Sequence, residues 1–203
     1  MKIFKLAADL IRTGTSSSHF YRNMNSTLKR LSGDYTMLHY PMEGKKNHSF
    51  IQGQKNLTDY CLSLVGDLKG KHILEVGCGN GVQTAYIHKT WNPGSTTGID
   101  LEPMNIEIAR KQQESGNLSN ISFMVDDAQK LENIPTGSVD ILINIESAFH
   151  YPDKDAFLSQ VARVLKPEGK FVVANLLTTK SSSETKVKKL WKRRMVLHHW
   201  CSD

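Results

Sequence analysis

Three alternate glycines follow a short apolar segment in the stretch HILEVGCGNG, residues 72–81. Gly77, Gly79 and Gly81 allow a ligand to approach the backbone closely, because glycine has no Cβ and adopts positive φ readily. The free N–H groups that open the helix predicted from Val82 attract negative charge. The stretch is therefore a candidate ligand-binding loop, with a tight turn that binds nothing as the alternative.

Carboxylates end the strands predicted beside this loop. Glu75 lies two residues before the first glycine, Asp100 ends the next strand, and Asp126-Asp127-Ala128 follows the third. A carboxylate at the tip of the adjacent strand can accept both hydroxyls of a ribose. An acid after the third strand can accept an adenine amino group, or can simply cap its own loop. The pattern indicates a nucleoside ligand, and it leaves NAD open because NAD enzymes use the same ribose-binding acid.

The glycine spacing differs from two common nucleotide-binding loops. The dinucleotide fingerprint G-x-G-x-x-G places its third glycine one residue later than Gly81. A G-x-x-x-x-G-K-[ST] phosphate loop and a Tyr-x-x-x-Lys sequence are both absent from the chain. An NAD-dependent oxidoreductase is therefore the less favoured interpretation.

Hydrophobic patterning places these residues on alternating strands and helices. This alternation predicts an α/β fold, a Rossmann-like doubly wound and mostly parallel sheet with helices on both faces. Lys166-Pro167-Glu168-Gly169 is predicted to turn the chain into the fifth strand. The predicted strands are 73–76, 96–100, 121–125, 139–144 and 170–177, and the predicted helices after the loop are 82–89, 103–114 and 154–165.

The flanking segments divide the chain into three parts. Residues 1–53 are predicted to form an N-terminal helix and a cap or loop segment, 54–178 the Rossmann-like domain, and 179–203 a basic tail. Residues 3–11 follow helical spacing, which is typical of an amphipathic cap helix and, as a less favoured alternative, of a mitochondrial presequence. Residues 13–53 are rich in Ser, Gly, Asn and His, so they are predicted to be loop-heavy and to cover the site.

The net charge of +6 is concentrated at the C-terminus. Residues 180–203 contain seven basic and two acidic side chains, so the rest of the chain is nearly neutral. A nucleic-acid groove on the domain is therefore not expected. The tail is predicted to be a solvated charged segment, and contact with a membrane surface or another polyanion is the alternative.

Cysteine usage favours a reducing compartment. Cys61, Cys78 and Cys201 are odd in number and far apart, which is not a disulfide framework. No apolar stretch approaches the roughly 18 residues of a membrane span. The expectation is a cytoplasmic protein without a metal site, and the sequence does not indicate its oligomeric state.

The stretch from about residue 72 to 177 resembles the class I S-adenosylmethionine-dependent methyltransferases, in the small-molecule group called type 11. The motifs that carry this resemblance follow the family's order and spacing. They are EVGCGNG at 75–81, GID at 98–100, DA at 127–128, IESAFHYPD at 145–153 and VLKPEGK at 164–170.

The resemblance implies that S-adenosylmethionine is the cofactor. The glycine loop would bind its methionine part, Asp100 its ribose, and Asp127 with the Ala128 backbone its adenine. A helix N-terminus suits the methionine carboxylate, and Glu75 is a partner for the ammonium. The implied cofactor-binding residues are Glu75, Gly77, Cys78, Gly79, Gly81, Asp100, Leu101, Asp127, Ala128 and Asn144.

Methyl transfer to an oxygen also needs a base, and two candidates follow the fourth strand. They are His150 and Glu146, each with loop ordering as its structural alternative. Related enzymes often have a His-His pair where this chain has Phe149-His150. They also often have an aspartate after the fifth strand, whereas Asn175 cannot take a proton.

The family fold closes with a fifth helix and two more strands that form an antiparallel edge. Only 26 residues follow Leu177, so we expect those C-terminal strands to be missing. The favoured function is methyl transfer to an O, C or N atom of a small organic molecule. The alternative is a truncated or inactive form that binds the cofactor. A nucleic-acid methyltransferase is disfavoured because residues 144–147 read Asn-Ile-Glu-Ser rather than Asn/Asp-Pro-Pro-Tyr/Phe.

Overall fold

A six-stranded parallel sheet forms the centre of the protein. The computed structural model describes residues 17–42, 49–175 and 195–196. The strand order is β3-β2-β1-β4-β5-β6, and every pair of neighbours is parallel. The strands are β1 His72–Val76, β2 Ser95–Asp100, β3 Ile121–Val125, β4 Val139–Ile145, β5 Leu165–Ala174 and β6 Met195–Val196.

Helices connect the strands and cover both faces of the sheet. They are α1 Ser17–Ser32, α2 Phe50–Ser63, α3 Val82–Trp91, α4 Pro103–Ser115 and α5 Lys154–Val164, with a short 3-10 turn at Ala148–His150. The predicted α/β class is confirmed. None of the helices among the described residues is long and apolar enough to cross a membrane.

The alternation of side chains along β1 shows how the two layers form. Ile73 points to the face covered by α2 and α3, where it packs with Leu62 and Ile87. Leu74 belongs to the cluster on the opposite face, which includes Phe157 of α5. All of these side chains are at most 2% exposed, and each contributes about 1.5–3 kcal/mol through its burial.

The strand order reverses direction between β1 and β4, because β2 and β3 lie on one side of β1 and β4 and β5 on the other. Ligands of open α/β sheets bind at such a switch point, beyond the carboxyl ends of the strands. The glycine loop, Asp100 and the segment after β4 all lie at this edge of the sheet.

The predicted turn at 166–169 is a bulge inside β5. Val139 pairs with Leu165 and Ile141 pairs with Lys170, so four residues of β5 lie opposite Asp140 alone. The Lys166 ammonium lies 2.8 Å from the Asp140 carboxylate and holds the bulge against β4. Strand β6 pairs in parallel with β5, and within the described residues no strand is antiparallel.

The prediction of a loop-heavy segment at 13–53 is wrong for residues 17–32, which form α1. Tyr21, Asn25 and Leu28 share its packed side, with Asn25 3% exposed and Leu28 8% exposed. Tertiary packing outweighs the weak helix propensity of asparagine and serine here. Helix α2 begins at Phe50 after the cap Ser49, so the predicted boundary at 53/54 lies inside it. The predicted helix at 3–11, and the tail apart from 195–196, lie outside the described residues.

Candidate functional site

The glycine loop joins β1 to α3 in a conformation that requires glycine. Gly77, Gly79 and Gly81 have φ of +76°, +55° and +78°, which side chains with a Cβ rarely adopt. The N–H groups of Gly77 and Cys78 both donate to the Ile99 carbonyl, at 2.8 and 2.9 Å. The loop is therefore fixed to β2, and its path leaves no room for side chains at the glycines.

Asp100 connects the tip of β2 to this loop. Its Oδ2 accepts a hydrogen bond from the Gly79 N–H at 2.9 Å. Its Oδ1 accepts from the Glu102 N–H at 2.9 Å and from the Asn105 amide at 3.1 Å. Burial raises the pKa of this carboxyl, and the hydrogen bonds oppose that effect. The structure thus places Asp100 beside the glycine loop, as the sequence predicts.

The two acids after β3 have different roles. Asp126 is 7% exposed and accepts from the N–H groups of Asp127, Glu132 and Asn133 at 2.8–3.2 Å, so it orders its own loop. Among the described residues, the Asp127 carboxylate accepts only from Gln129, within the same loop. Of the two, Asp127 is the one whose carboxylate is less engaged and remains the candidate for a ligand contact.

Two apolar residues accompany these acids. Leu101 follows Asp100 and is 69% exposed, whereas Ala128 follows Asp127 and is buried. An exposed leucine at the ligand-binding edge of a sheet offers an apolar surface to a flat ring. Leu101 and Ala128 thus follow the two acids at the carboxyl ends of β2 and β3.

Asn144 supports the glycine loop from the neighbouring strand. It is fully buried, and its amide nitrogen donates to the Val76 carbonyl at 3.0 Å and to the Ser147 hydroxyl at 2.7 Å. Its Oδ1 accepts from the Ala148 N–H at 3.2 Å. Asn144 therefore joins the end of β1 to the segment after β4.

Glu75 lies underneath the loop, on the side of α3. Its side chain is 2% exposed, and its Oε2 accepts a hydrogen bond from the Thr84 hydroxyl at 2.5 Å. Burial raises its pKa to about 8, and the thiol pKa of the buried Cys78 is raised well above its usual value for the same reason. Glu75 and Cys78 are thus packed behind the loop, away from solvent.

This burial predicts a stabilising substitution, Glu75→Gln. A pKa raised from 4.5 to about 8 means that the folded chain favours the protonated carboxyl. The stability that comes from protonation is present at acidic pH and is lost as the pH rises through 8. We expect Glu75→Gln to unfold at higher denaturant concentration than the parent at pH 9, with little difference at pH 4, below the ordinary glutamate pKa of 4.5. The gain is on the order of 1 kcal/mol for each pKa unit.

Denaturant melts at the two pH values measure this difference. Glu168→Gln is the control, because that side chain is exposed and its loss should change neither curve. A parent chain that is more stable than Glu75→Gln at pH 9 would contradict the assignment.

Glu146 follows β4 in a strained conformation. Its φ is +50°, which is uncommon for a residue other than glycine. Its carboxylate accepts from the Tyr40 N–H at 2.8 Å, and burial raises its pKa to about 7. Strain of this kind is concentrated at functional sites, and the raised pKa allows this carboxyl to exchange a proton near neutral pH.

His150 contacts a tyrosine that the sequence analysis did not select. The Tyr21 hydroxyl lies 2.6 Å from His150 Nε2. Burial lowers the pKa of the imidazole, so it is neutral at pH 7. A neutral imidazole has two tautomers, and in the one protonated on Nδ1 the His150 Nε2 accepts from the Tyr21 hydroxyl. Burial raises the pKa of Tyr21, as do the negative charges of Asp100 and Glu146.

The N-terminal segment brings three further residues to the site. Besides Tyr21, the Leu38 side chain packs on Gly79 and the Tyr40 backbone holds Glu146. These residues belong to the segment 13–53, which the sequence predicts to cover the site. Asn175 directly follows β5, and its Oδ1 is buried without a hydrogen-bond partner among the described residues. Within those residues, no group of three or more His, Cys, Asp or Glu could hold a metal ion.

Comparison with known families finds one matching model. It is described as a methyltransferase domain, and it matches residues 67–202. The match covers the glycine loop, Asp100, the segment after β4 and the strands that position them.

Two curated relatives share the same part of the chain. A fatty-acid O-methyltransferase of Mycolicibacterium smegmatis is 41% identical over 106 residues, which are 52% of this chain and 37% of that protein. A phthiotriol/phenolphthiotriol dimycocerosates methyltransferase of Mycobacterium leprae is 38% identical over 123 residues, 60% of this chain and 43% of that protein. The aligned region thus spans less than half the length of these relatives.

A solved structure shares the fold. It is the geranyl diphosphate C-methyltransferase of Streptomyces coelicolor, in complex with Mg2+, geranyl diphosphate and S-adenosyl-L-homocysteine. The TM-score is 0.60 at 18% sequence identity, and the match covers 68% of this chain and 56% of that one.

Proposed function

The chain belongs to the methyltransferase-domain family, and from this premise we propose that it binds S-adenosylmethionine and transfers the methyl group to a small organic molecule. The observation that carries the proposal is the contact between the Gly79 N–H and the Asp100 carboxylate. This hydrogen bond holds the glycine loop against Asp100 at the end of β2. A loop of this shape suits an amino-acid moiety, and the adjacent acid suits a ribose.

The residues present fit the chemistry of this cofactor. The positive end of the α3 helix dipole suits the methionine carboxylate, and Gly77, Gly79 and Gly81 allow close approach. Asp100 would accept a ribose hydroxyl, and Leu101 would cover the adenine, with Asp127 and the Ala128 N–H at its polar edge. We propose that Glu75, Cys78 and Asn144 act from beneath by holding the loop in shape.

The bound sulfonium supplies an activated methyl group, so the protein has two tasks. It must align the acceptor with the methyl group, since proximity alone lowers the barrier by several kcal/mol. It must also remove the proton of the acceptor. We propose that His150 is the base and that it acts through Tyr21, in the tautomer whose Nε2 accepts from the Tyr21 hydroxyl across the 2.6 Å contact.

In this arrangement the acceptor gives its proton to the oxygen of Tyr21, and the hydroxyl proton of Tyr21 passes to His150 Nε2. Tyr21 thereby stays neutral, and His150 becomes an imidazolium. Glu146 is the second candidate base, because its pKa of about 7 allows it to accept a proton directly.

The acceptor class follows from the names of the sequence relatives. One is named for fatty acids and the other for phthiotriol dimycocerosates, which are both lipids with oxygen functions. We therefore propose an oxygen of an apolar, lipid-like molecule as the first acceptor to test, with C and N acceptors next.

Calorimetry with S-adenosylmethionine, S-adenosylhomocysteine and NAD tests the proposal. We expect the first two to bind with dissociation constants on the order of micromolar, and NAD not to bind. Incubation with methyl-labelled cofactor and a lipid extract should then transfer label to the extract. Binding of NAD alone would overturn the proposal, and cofactor binding without any transfer would indicate an inactive cofactor-binding form.

A further inference from the structure

Three buried asparagines link helix α1 to both sides of the proposed cofactor site. Asn25 of α1, Asn80 of the glycine loop and Asn105 of α4 are each at most 3% exposed. Buried amides keep their position only when hydrogen-bonded, because an unpaired polar group costs about 1–3 kcal/mol. The hydrogen bonds among the three amides therefore hold these side chains in one defined arrangement.

The hydrogen bonds run in one direction. The Asn80 amide nitrogen donates to Asn25 Oδ1 at 2.8 Å, and the Asn25 nitrogen donates to Asn105 Oδ1 at 2.9 Å. The Asn105 nitrogen in turn donates to Asp100 Oδ1 at 3.1 Å. Every amide thus accepts on one side and donates on the other, and the last donor faces the Asp100 carboxylate.

This row of hydrogen-bonded amides depends on Asn25, which lies between Asn80 and Asn105. Hydrogen bonds in series polarise one another, so each donor strengthens the next. If Asn105 turned over, its Oδ1 would face the Asp100 carboxylate, and the bond from Asn25 prevents this. Asn25 thereby fixes the direction in which Asn105 donates.

Asn25 also positions the glycine loop, because it accepts a hydrogen bond from Asn80 of that loop. Asn80 Oδ1 accepts from the Val82 N–H at 3.1 Å, which orients the first turn of α3. Its nitrogen also donates to the Thr36 carbonyl at 2.9 Å, so the N-terminal segment holds this side chain twice. Asn25 is 55 residues from Asn80 and 80 from Asn105 along the chain, and it contacts both.

We propose that Asn25 is a positioning residue for cofactor binding, which holds Asn80 and, through Asn105, Asp100 in their binding geometry. The cofactor site is then complete only when α1 is packed on the domain. This inference rests on the proposed function, because it concerns the same site.

The test measures S-adenosylhomocysteine affinity in three variants of the full chain. Asn25→Ala removes both hydrogen bonds, and we expect a 10- to 100-fold weaker dissociation constant, which corresponds to about 1.4 kcal/mol for each tenfold change. Asn25→Asp keeps an acceptor for Asn80 but presents an oxygen to Asn105 Oδ1, so we expect it to bind more weakly than Asn25→Ala. Asn23→Ala is the control, because Asn23 is an exposed asparagine on the same helix, and its affinity should equal that of the parent.

A double-mutant cycle identifies the route of the effect. If Asn25 acts on Asp100 through Asn105, then Asn25→Ala should weaken binding less in an Asn105→Ala background than in the parent. Circular dichroism melts of the unliganded variants show whether each one folds.

The outcomes separate this inference from the proposed function. Unchanged affinity in a folded Asn25→Ala variant would overturn the inference, even if its melting temperature falls, because the role would then be structural only. Full additivity in the cycle would overturn the route through Asn105. A parent chain that binds neither S-adenosylmethionine nor S-adenosylhomocysteine would contradict the proposed function, and this inference with it.

Discussion

Replacement of Asp100 by alanine is expected to weaken S-adenosylhomocysteine binding at least about 100-fold, the largest effect on affinity that we predict. The carboxylate is the proposed ribose acceptor, and it also holds the Gly79 N–H, the Glu102 N–H and the Asn105 amide. Alanine leaves these three donors without their acceptor, at a cost of about 1–3 kcal/mol for each one that stays buried. Both the contact with the ligand and the shape of the loop are lost together.

Calorimetry and thermal melts measure the two parts of this effect. Asp100→Asn should lie between the parent and alanine, because the amide keeps one acceptor oxygen but turns a donor toward another donor. Asp155→Ala is the control, since Asp155 is an exposed acid on α5. Parent-like affinity in a folded Asp100→Ala variant would remove Asp100 from the cofactor site.

Replacement of His150 by alanine is expected to lower kcat by about 10²- to 10⁴-fold, the usual contribution of a general base. The cofactor dissociation constant should change little, because His150 contacts Tyr21 rather than the glycine loop. Glu146→Gln should cost less, since a glutamine still accepts the Tyr40 N–H through its amide oxygen.

The pH dependence of kcat/KM distinguishes the two candidate bases. A base must be unprotonated, so the rate falls as the pH drops through its pKa. With His150 as the base the midpoint lies below 6.5, because burial lowers that pKa. With Glu146 as the base the midpoint lies near 7 and disappears in Glu146→Gln. A midpoint near 7 that is lost in that variant would contradict the assignment to His150.

The sheet and the loop could be predicted because their signals are local. Strand 73–76 is a mostly apolar segment, the glycines follow it directly, and Asp100 ends the next predicted strand, 96–100. In a parallel sheet the carboxyl ends of strands meet at one edge, so local assignments were enough to bring the loop and Asp100 together. The structure confirms the parallel arrangement.

The contribution of α1 could not be read in the same way. Residues 17–32 do follow a helical hydrophobic pattern. That pattern does not show that the packed side of the helix brings Tyr21 and Asn25 to the site. Its partners, Asn80, Asn105 and His150, lie 55 to 129 residues away. Hydrogen bonds over such distances leave no pattern in a single sequence.

The burial of Glu75 can be predicted from the sequence only when the helices on both faces of the sheet are taken into account. Alternation along β1 puts it on the same face as Ile73, which packs under α2 and α3. Burial of its carboxyl follows from that alternation once helices cover both faces. Its distance from the glycines, in contrast, carries no information on this burial.

The hydrogen bonds of Asp100 also limit what this carboxylate can recognise. A carboxylate offers about four lone-pair positions, and three of them already receive Gly79, Glu102 and Asn105. A single acceptor position remains, so two hydroxyl groups on neighbouring carbons of a sugar would have to share it or exchange with an internal donor. Selectivity among sugars at this edge therefore depends on how many donors the two carboxylate oxygens can accept at once. The protein's own backbone N–H groups already occupy positions that a sugar hydroxyl would use.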